Sequence, residues 1–524
     1  MNLGHLKLDC QKPIHIIGIG GIGMSGLAKL LHQDNIKVQG SDLSENFQVT
    51  ELRKLGIKVF TNHSAENIWD CSLVVKSSAI KNDNVEIKEA KNKAIPVISR
   101  AELLSNILLS GYNVCTTGAH GKTSTTCLVY SMLKAANFDP TVICGGIINS
   151  INSNVFKGSD AINVVEADES DGTFMVLPTN ISVITNIDNE HLDYYGSLQN
   201  IINVYKLFID KSLLKDLVIV CDDCENLKVI NKNYIHNSKY ISYGIDSASS
   251  DLRAINLETT NEGTKFDIAL SEKCQKTLSL HINRPLSKLA SDDKMLGDLG
   301  RENRNVLDVH EDSSTKSTTQ FASEVEFQKW SIKGLLIKNY GKHNVLNALA
   351  GIIVYLFKGG KIEALHNALQ FNEGVQRRFS VIGKVNDITL IDDYAHHPNE
   401  IKATLSMARE HSSRSKGKVI AVFQPHRYSR FNELYQQFLS SFKQADSLIV
   451  LDIYSAGENP INNITSETFA EDIKSNIVAF YCKDKIAIKN KINELCSPGD
   501  YIIFMGAGNV SNIAKEIFND LQQI

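Results

Sequence analysis

The chain has 524 residues, 43% of them hydrophobic and 22% charged, with a formal net charge of −4. That length exceeds one ordinary core and predicts about three domains. The near-balanced charge, with no Lys/Arg cluster, argues against nucleic acid as the main partner.

The start, MNLGHLKLDCQKP, lacks the apolar core of a signal peptide. The longest uncharged apolar stretch, Ile16 to Ala28, is glycine-rich and too short to cross a bilayer, so no membrane insertion and a cytoplasmic setting are expected. Ten scattered cysteines suit a reducing compartment. Cys221 and Cys224 form a C-x-x-C and His236 follows, but no second histidine stands about three to five residues beyond it to complete a zinc site, and the pair reads as surface thiols.

The first unit is PIHIIGIGGIGMSGLAKLL, residues 13–31. Ile14–Ile19 reads as a buried parallel strand, which Gly18-x-Gly20-x-x-Gly23 turns into a helix. A second strand, Ile36–Val38, runs into Gly40-Ser41-Asp42. Asp42 falls where a Rossmann-type fold hydrogen-bonds a ribose. Strand-like runs at Val59-Phe60, Leu73–Val75 and Pro96–Ile98 complete a doubly wound α/β domain ending near residue 108. This arrangement predicts a bound nucleotide diphosphate and leaves NAD and a UDP-sugar both open.

The second unit opens on VCTTGAHGKTSTTCLVYSML, residues 114–133. A short strand gives way to Gly118-Ala119-His120-Gly121-Lys122-Thr123. Leu128, Met132 and Ala135 then fall on one row of a helix. Glycines without Cβ let backbone amides close on phosphate oxygens, and the helix points its positive end at the same anion. Lys122 is placed to reach the β- and γ-phosphates, and the Thr123 hydroxyl to hold Mg²⁺. The loop departs from a full G-x-x-x-x-G-K-[ST] motif, because Thr116 stands at the first glycine position.

Two later apolar runs end in acids. Ala161–Val165 leads to Glu166-Ala167-Asp168-Glu169-Ser170-Asp171, and Ile181–Ile187 leads to Asp188-Asn189-Glu190-His191-Leu192-Asp193. Carboxylates at the ends of parallel strands, beside a phosphate loop, suit Mg²⁺.

From about 282 to 330 the pattern dissolves into Ser, Asp, Asn and charge. The composition predicts a mobile excursion between a strand at Thr264–Leu270 and the apolar run Gly334–Ile337. Gly341-Lys342-His343-Asn344-x-x-Asn347 then opens a helix expected to reach about Phe357.

A hinge-like segment, Phe371–Phe379, carries Arg377 and Arg378 into a third α/β unit. Its predicted strands each end in polar residues. Thr389–Ile391 leads to Asp392-Asp393-Tyr394-Ala395-His396-His397-Pro398, and Val419–Phe423 to Gln424-Pro425-His426-Arg427-Tyr428-Ser429-Arg430. Leu448–Leu451 leads to Asp452, and Tyr501–Met505 to Gly506-Ala507-Gly508-Asn509. The His396-His397 pair reads as a ligand-facing loop or a helix-start contact, since two adjacent imidazoles make poor metal geometry.

Together these stretches resemble the Mur ligases, the ATP-dependent amide-forming enzymes that build the peptide of bacterial cell-wall precursors. TTGAHGKTSTT is similar to the family's ATP loop, VVEADESDGTF and ITNIDNEHLDYYG to its magnesium and substrate segments, and GKHNVLNALAG to the helix whose start meets adenine and substrate. The resemblance runs from about residue 13 to the C-terminus, apart from 282–330, which the family pattern lacks. It implies an α/β fold of three domains: a Rossmann-like UDP-sugar-binding domain (1–108), a central P-loop ATPase-like domain with a mostly parallel sheet (109–374), and a Rossmann-like C-terminal ligase domain (375–524).

GIGGIGMSGLA, DDYAHHPNEI and QPHRYSR resemble the subgroup that joins L-alanine to the lactyl carboxylate of UDP-N-acetylmuramate through an acyl phosphate, releasing ADP and phosphate. On that resemblance Gly18, Gly20, Gly23 and Asp42 hold the UDP-sugar. Gly118, Ala119, His120, Gly121, Lys122, Thr123, Ser124 and Asn344 bind ATP, and Thr123, Glu166 and His191 meet Mg²⁺. Lys122, His191, His343 and Arg378 are the implied catalytic residues. ATP and Mg²⁺ are the implied cofactors, UDP-N-acetylmuramate and L-alanine the partners, and a monomer or homodimer the assembly. Some family members bridge metals with a carboxylated lysine; no clear counterpart follows His191-Leu192-Asp193. The rival readings are a sister ligase that attaches a ready-made tripeptide, a dinucleotide-dependent oxidoreductase, and a nucleotide-controlled binding module.

Overall fold

The computed structural model describes Asp9 and residues 11–260, 262–282 and 331–522. The excursion predicted at 282–330 thus lies outside the described residues beyond Ile282, as does most of the N-terminal stretch. The chain divides into two compact units, Met1–Glu373 and Gly374–Ile524. Among the described residues no helix is long and apolar enough to cross a membrane.

The first unit contains two sheets. One comprises β1 (Ile14–Ile17), β2 (Val38–Ser41), β3 (Lys58–Phe60), β4 (Leu73–Lys76) and β5 (Val97–Ser99) in the order β3-β2-β1-β4-β5, all parallel. Every residue of β1 is buried, as a strand covered on both faces requires. The strand order reverses at β1, so its C-terminal end opens the crevice where such sheets bind ligands. Gly18, at φ +76°, turns the chain there into the helix Ile22–Gln33. The second strand starts two residues later than its apolar pattern predicts. Asn35 takes a left-handed φ of 59°, and Ile36 N donates back to Leu31 O, so these residues close the helix instead.

The second sheet holds β6 (Tyr112–Thr117), β7 (Thr141–Ile148), β8 (Ser153–Phe156), β9 (Ile162–Glu166), β10 (Ile181–Ile184), β11 (Leu217–Cys221), β12 (Tyr240–Gly244), β13 (Leu252–Thr259), β14 (Thr264–Leu270) and β15 (Ser331–Ile337). Its order is β15-β14-β13-β12-β11-β10-β6-β9-β7-β8, parallel from β13 to β7 with antiparallel strands at both margins. β6 lies between β10 and β9, with Thr117 opposite Ile184 and Thr116 opposite Glu166. That register brings both acid-bearing segments to the end of the strand that carries the phosphate loop. The helices Lys122–Ala135 and Lys342–Phe357 lie together, joined by Thr125 Oγ1 donating to Asn347 Oδ1 at 3.1 Å.

One expectation is corrected here. Cys221 is not a surface thiol: it ends the fully buried strand β11, in a sheet covered on both faces. Cys224 is half-buried, its sulfur 3.4 Å from the Ile187 amide.

The second unit is built on β16 (Ser380–Val385), β17 (Ile388–Asp393), β18 (Val419–Phe423), β19 (Ser447–Val450), β20 (Val478–Tyr481) and β21 (Tyr501–Met505) in the order β16-β17-β21-β18-β19-β20. Only β16 runs antiparallel. Both faces are covered: Val419, Ala421 and Phe423 join one apolar cluster, while Ile420 and Val422 join the other. His397 caps the helix Pro398–Ser415, with Pro398 in its first turn, so this histidine is a helix-start contact.

Candidate active site

The loop after β6 is shaped by two glycines with positive φ, Gly118 at +130° and Gly121 at +81°. A Cβ on Gly118 would fall 2.2 Å from Thr185 Oγ1 and 2.8 Å from Asn186 O, so no other residue fits beneath this turn. Thr185 and Asn186, at the end of β10, brace the loop from below. Thr185 Oγ1 donates to His120 O at 2.6 Å, and Asn186 Oδ1 accepts from His120 N at 2.8 Å. Neither residue was singled out by sequence, because their role depends on β10 being the neighbour of β6. His120 Nε2 pairs with Asp188 Oδ2 at 3.0 Å.

Lys122 begins the following helix and bends back over the loop. Its Nζ donates to Gly118 O at 2.6 Å, Ala119 O at 3.0 Å and Glu169 Oε1 at 2.9 Å. Burial works to lower the lysine pKa, but the carboxylates of Glu169, Asp168 and Glu166 outweigh it and hold the pKa raised. The ammonium is therefore a fixed positive charge at neutral pH. Thr123 Oγ1 donates to Glu166 Oε1 at 3.0 Å, while Gly145 N donates to Glu166 Oε2 at 2.6 Å. The predicted Thr123–Glu166 pair is thus brought together at the helix start.

His191 reaches the same place from the other acidic segment. It adopts a left-handed φ of 58°, which aims its ring at Glu169 Oε1 (3.4 Å) and Glu190 Oε2 (3.7 Å). Burial opposes its protonation, but hydrogen bonding and charge from Glu169, with Glu190, raise its pKa. Glu169, Glu190 and His191 offer ligand atoms that all lie within 4.8 Å of one another. The buried Glu169 Oε2 has no hydrogen-bond partner among the described residues. An orphaned carboxylate oxygen beside a second carboxylate and an imidazole fits a divalent cation. Sequence reasoning selected His191 but not Glu169 or Glu190, since EADES offers three acids and only the fold decides which one faces it.

His343 and Asn344 lie at the start of the helix Lys342–Phe357, where Asn344 Nδ2 donates to Tyr340 O at 2.7 Å and meets His343 Nε2 at 3.1 Å. In the first sheet, Asp42 is committed to the glycine loop. Its Oδ2 accepts from Gly20 N at 2.9 Å and its Oδ1 from Ser44 N at 2.9 Å. A Cβ on Gly20 would sit 2.9 Å from that carboxylate. Asp42 therefore shapes the loop.

Arg378 belongs to the C-terminal unit, between two left-handed residues, Arg377 (φ 60°) and Phe379 (φ 49°). Its Nη1 lies 3.8 Å from Glu400 Oε1, and its guanidinium carbon 5.5 Å from the Tyr394 ring centre. Asp393, at the end of β17, accepts from Phe379 N and Ala395 N; burial pushes its pKa up to about 6 against the charge of Arg378. His396 and His426 are edge to face at 5.9 Å. Burial pushes their pKa values down to about 3 and about 4, so both are neutral imidazoles at pH 7.

A glycine loop carrying a buried lysine and flanked by carboxylates, on a mostly parallel sheet in a unit that also holds a Rossmann-like sheet, suits nucleotide-dependent group transfer. Three family descriptions match in order: "Mur ligase family, catalytic domain" over residues 13–112, "Mur ligase middle domain" over 116–286 and "Mur ligase, glutamate ligase domain" over 377–508. The chain is 40% identical over 513 residues to the UDP-N-acetylmuramate–L-alanine ligase of Rickettsia bellii, covering 97% of this chain and 96% of that one. It is similar in structure to the UDP-N-acetylmuramate–alanine ligase of Thermotoga maritima, with a TM-score of 0.74 and 27% identity over 98% of this chain and 99% of that one. A murein peptide ligase from Psychrobacter arcticus shares the fold, with a TM-score of 0.63 and 19% identity over 98% and 99% of the two chains. The chain belongs to the Mur ligase family.

Proposed function

We propose that this chain ligates L-alanine to the lactyl carboxylate of UDP-N-acetylmuramate, using ATP and forming UDP-N-acetylmuramoyl-L-alanine, ADP and phosphate. The observation that carries the reaction type is Lys122, held by the phosphate loop and Glu169 at the end of a strand flanked by two acid-bearing neighbours. The choice of substrates is supported by the Rickettsia and Thermotoga relatives, whose names specify this ligation. The reading places the chain in the cytoplasm, in peptidoglycan precursor synthesis and hence in cell-wall growth and division.

A carboxylate and an amine do not condense unaided in water. The lactyl carboxylate therefore first takes the γ-phosphoryl group of ATP, and the alanine amine displaces phosphate from the resulting acyl phosphate. In this scheme the loop amides and Lys122 stabilise charge on the transferring phosphoryl, a positioning and electrostatic task. Gly18, Gly20 and Gly23 receive the UDP diphosphate, with Asp42 fixing their loop. Asn344 meets adenine, and His343 and Arg378 face the reacting groups. Thr123 with Glu166, and His191 with Glu169 and Glu190, would hold Mg²⁺, which when bound neutralises phosphate charge.

The test measures phosphate release from ATP with UDP-N-acetylmuramate plus L-alanine, plus the tripeptide L-alanyl-γ-D-glutamyl-meso-diaminopimelate, and with neither acceptor. Release that depends on L-alanine supports the reading. Release only with the tripeptide assigns the chain to the sister ligases.

A further inference from the structure

Arg100 is the first residue of the helix Arg100–Leu108 and follows β5 directly. A reciprocal capping box holds it there: Ser99 Oγ accepts from Glu102 N at 3.2 Å, and Glu102 Oε2 accepts from Ser99 N at 2.7 Å. The fixed backbone directs the long side chain out of the first sheet toward the second. Its Nη2 donates to Asp168 Oδ2 at 3.2 Å, Asp171 Oδ2 at 3.3 Å and Thr173 Oγ1 at 3.4 Å. All three contacts run through one nitrogen, and the side chain is only 19% exposed.

Nη1 lies on the other side, against the first turn of the helix Ile22–Gln33, where a Cβ on Gly23 would stand 3.3 Å from it. The third glycine of the first loop therefore makes room for a guanidinium from another helix. The same first turn is tied to the second sheet, since Asn154 Nδ2 donates to Ile22 O at 2.8 Å. Asp168 belongs to the same acidic segment as Glu169, whose Oε1 accepts from Lys122 Nζ at 2.9 Å, so the segment that meets Arg100 also meets the lysine of the second glycine loop.

We propose that Arg100 binds the diphosphate of the sugar nucleotide through Nη1, and that its Nη2–Asp168 contact positions the first glycine loop relative to the ATP loop. A guanidinium presents its donors as a planar fork, so one edge can hold carboxylates while another meets a phosphate. This rests on the reading of the first loop as a sugar-nucleotide site.

The experiment compares Arg100→Ala and Arg100→Lys with wild type. Calorimetry follows UDP and ATP separately, and steady-state kinetics follow ligation. The Kd for UDP and the KM for UDP-N-acetylmuramate should rise about tenfold or more in Arg100→Ala, with partial recovery in Arg100→Lys, as for loss of a charge-assisted hydrogen bond. The ATP values should change less than about threefold. Unchanged UDP affinity, or equal loss for both nucleotides, overturns the proposal. Should Arg100→Ala fail to fold, Arg100→Lys decides alone, because it keeps the charge and loses the fork. Wild-type ligation separates the two readings. If wild type ligates and the variants bind UDP normally, the role of Arg100 falls. If the variants lose UDP while wild type does not ligate, the role stands and the reaction assignment falls.

Discussion

Lys122 Nζ stands 2.9 Å from Glu169 Oε1, and the same carboxylate oxygen lies 3.4 Å from His191 Nε2. One buried glutamate thus joins the phosphate-loop lysine to the histidine of the neighbouring acidic segment. Tyr195, whose hydroxyl donates to the Glu169 carbonyl, helps to fix that glutamate's backbone. Removing the glutamate charge should loosen both partners.

Glu169→Gln keeps the shape and removes the charge. Ligation should fall by about 10–100-fold, and the Mg²⁺ concentration for half-maximal rate should rise, as expected when one carboxylate of the proposed cation site loses its charge. A Mg²⁺ titration of the rate checks this. An unchanged half-maximal concentration would take Glu169 out of the cation site.

Gly118→Ala should abolish ligation and destabilise the chain by several kcal/mol, because a Cβ would land 2.2 Å from Thr185 Oγ1 at a φ of +130°. Gly56→Ala is the control, with a φ of +83° but nothing within 4 Å of its Cβ. It should cost only about 1 kcal/mol, and denaturant unfolding of the two variants measures the difference.

The phosphate loop was legible because its chemistry is local: Gly118, Gly121, Lys122 and Thr123 are near neighbours in sequence. Glu166 was legible as an acid ending an apolar run. Glu169 and Arg100 were not, since each acts on a residue brought close only by strand order or by a helix from another sheet. Glu190 adjoins His191 in sequence, but its place beside Glu169 depends on the fold. The strands β7, β8, β11, β12, β13, β16 and β20 were not read from the sequence either. Short apolar runs such as Leu217–Cys221 do not by themselves distinguish a buried strand from a buried helix segment. β7 carries Gly145 and Gly146, and the backbone at Gly145 is used to approach Glu166 closely.

Beneath the first sheet, Glu86 is fully buried, accepting from Ser41 Oγ at 2.6 Å and Asn67 Nδ2 at 2.7 Å, with His15 Nε2 at 3.5 Å. Burial pushes its pKa up, but the adjacent His15 imidazole and the hydrogen bonds from Ser41 and Asn67 outweigh this and bring it to about 2, against an ordinary 4.5. A carboxylate with a depressed folded pKa contributes stability that is complete above pH 4.5 and lost as pH falls toward 2. Glu86→Gln should therefore lower stability at pH 7 by on the order of 3 kcal/mol. It should also flatten the decline below pH 4.5, which thermal melts across that range would record.

The central claim is that Lys122 stabilises the phosphoryl group as it moves to the lactyl carboxylate. Loss of one such donor typically costs on the order of 10²–10³ in rate, and falls on kcat when the contact acts mainly in the transition state. The decisive measurement is borohydride trapping of the acyl phosphate formed from ATP and UDP-N-acetylmuramate without alanine, in wild type and Lys122→Ala. The account predicts that the variant still binds the sugar nucleotide, and that trapped intermediate and ligation fall to the same degree. Intermediate forming at the wild-type rate in Lys122→Ala would contradict it.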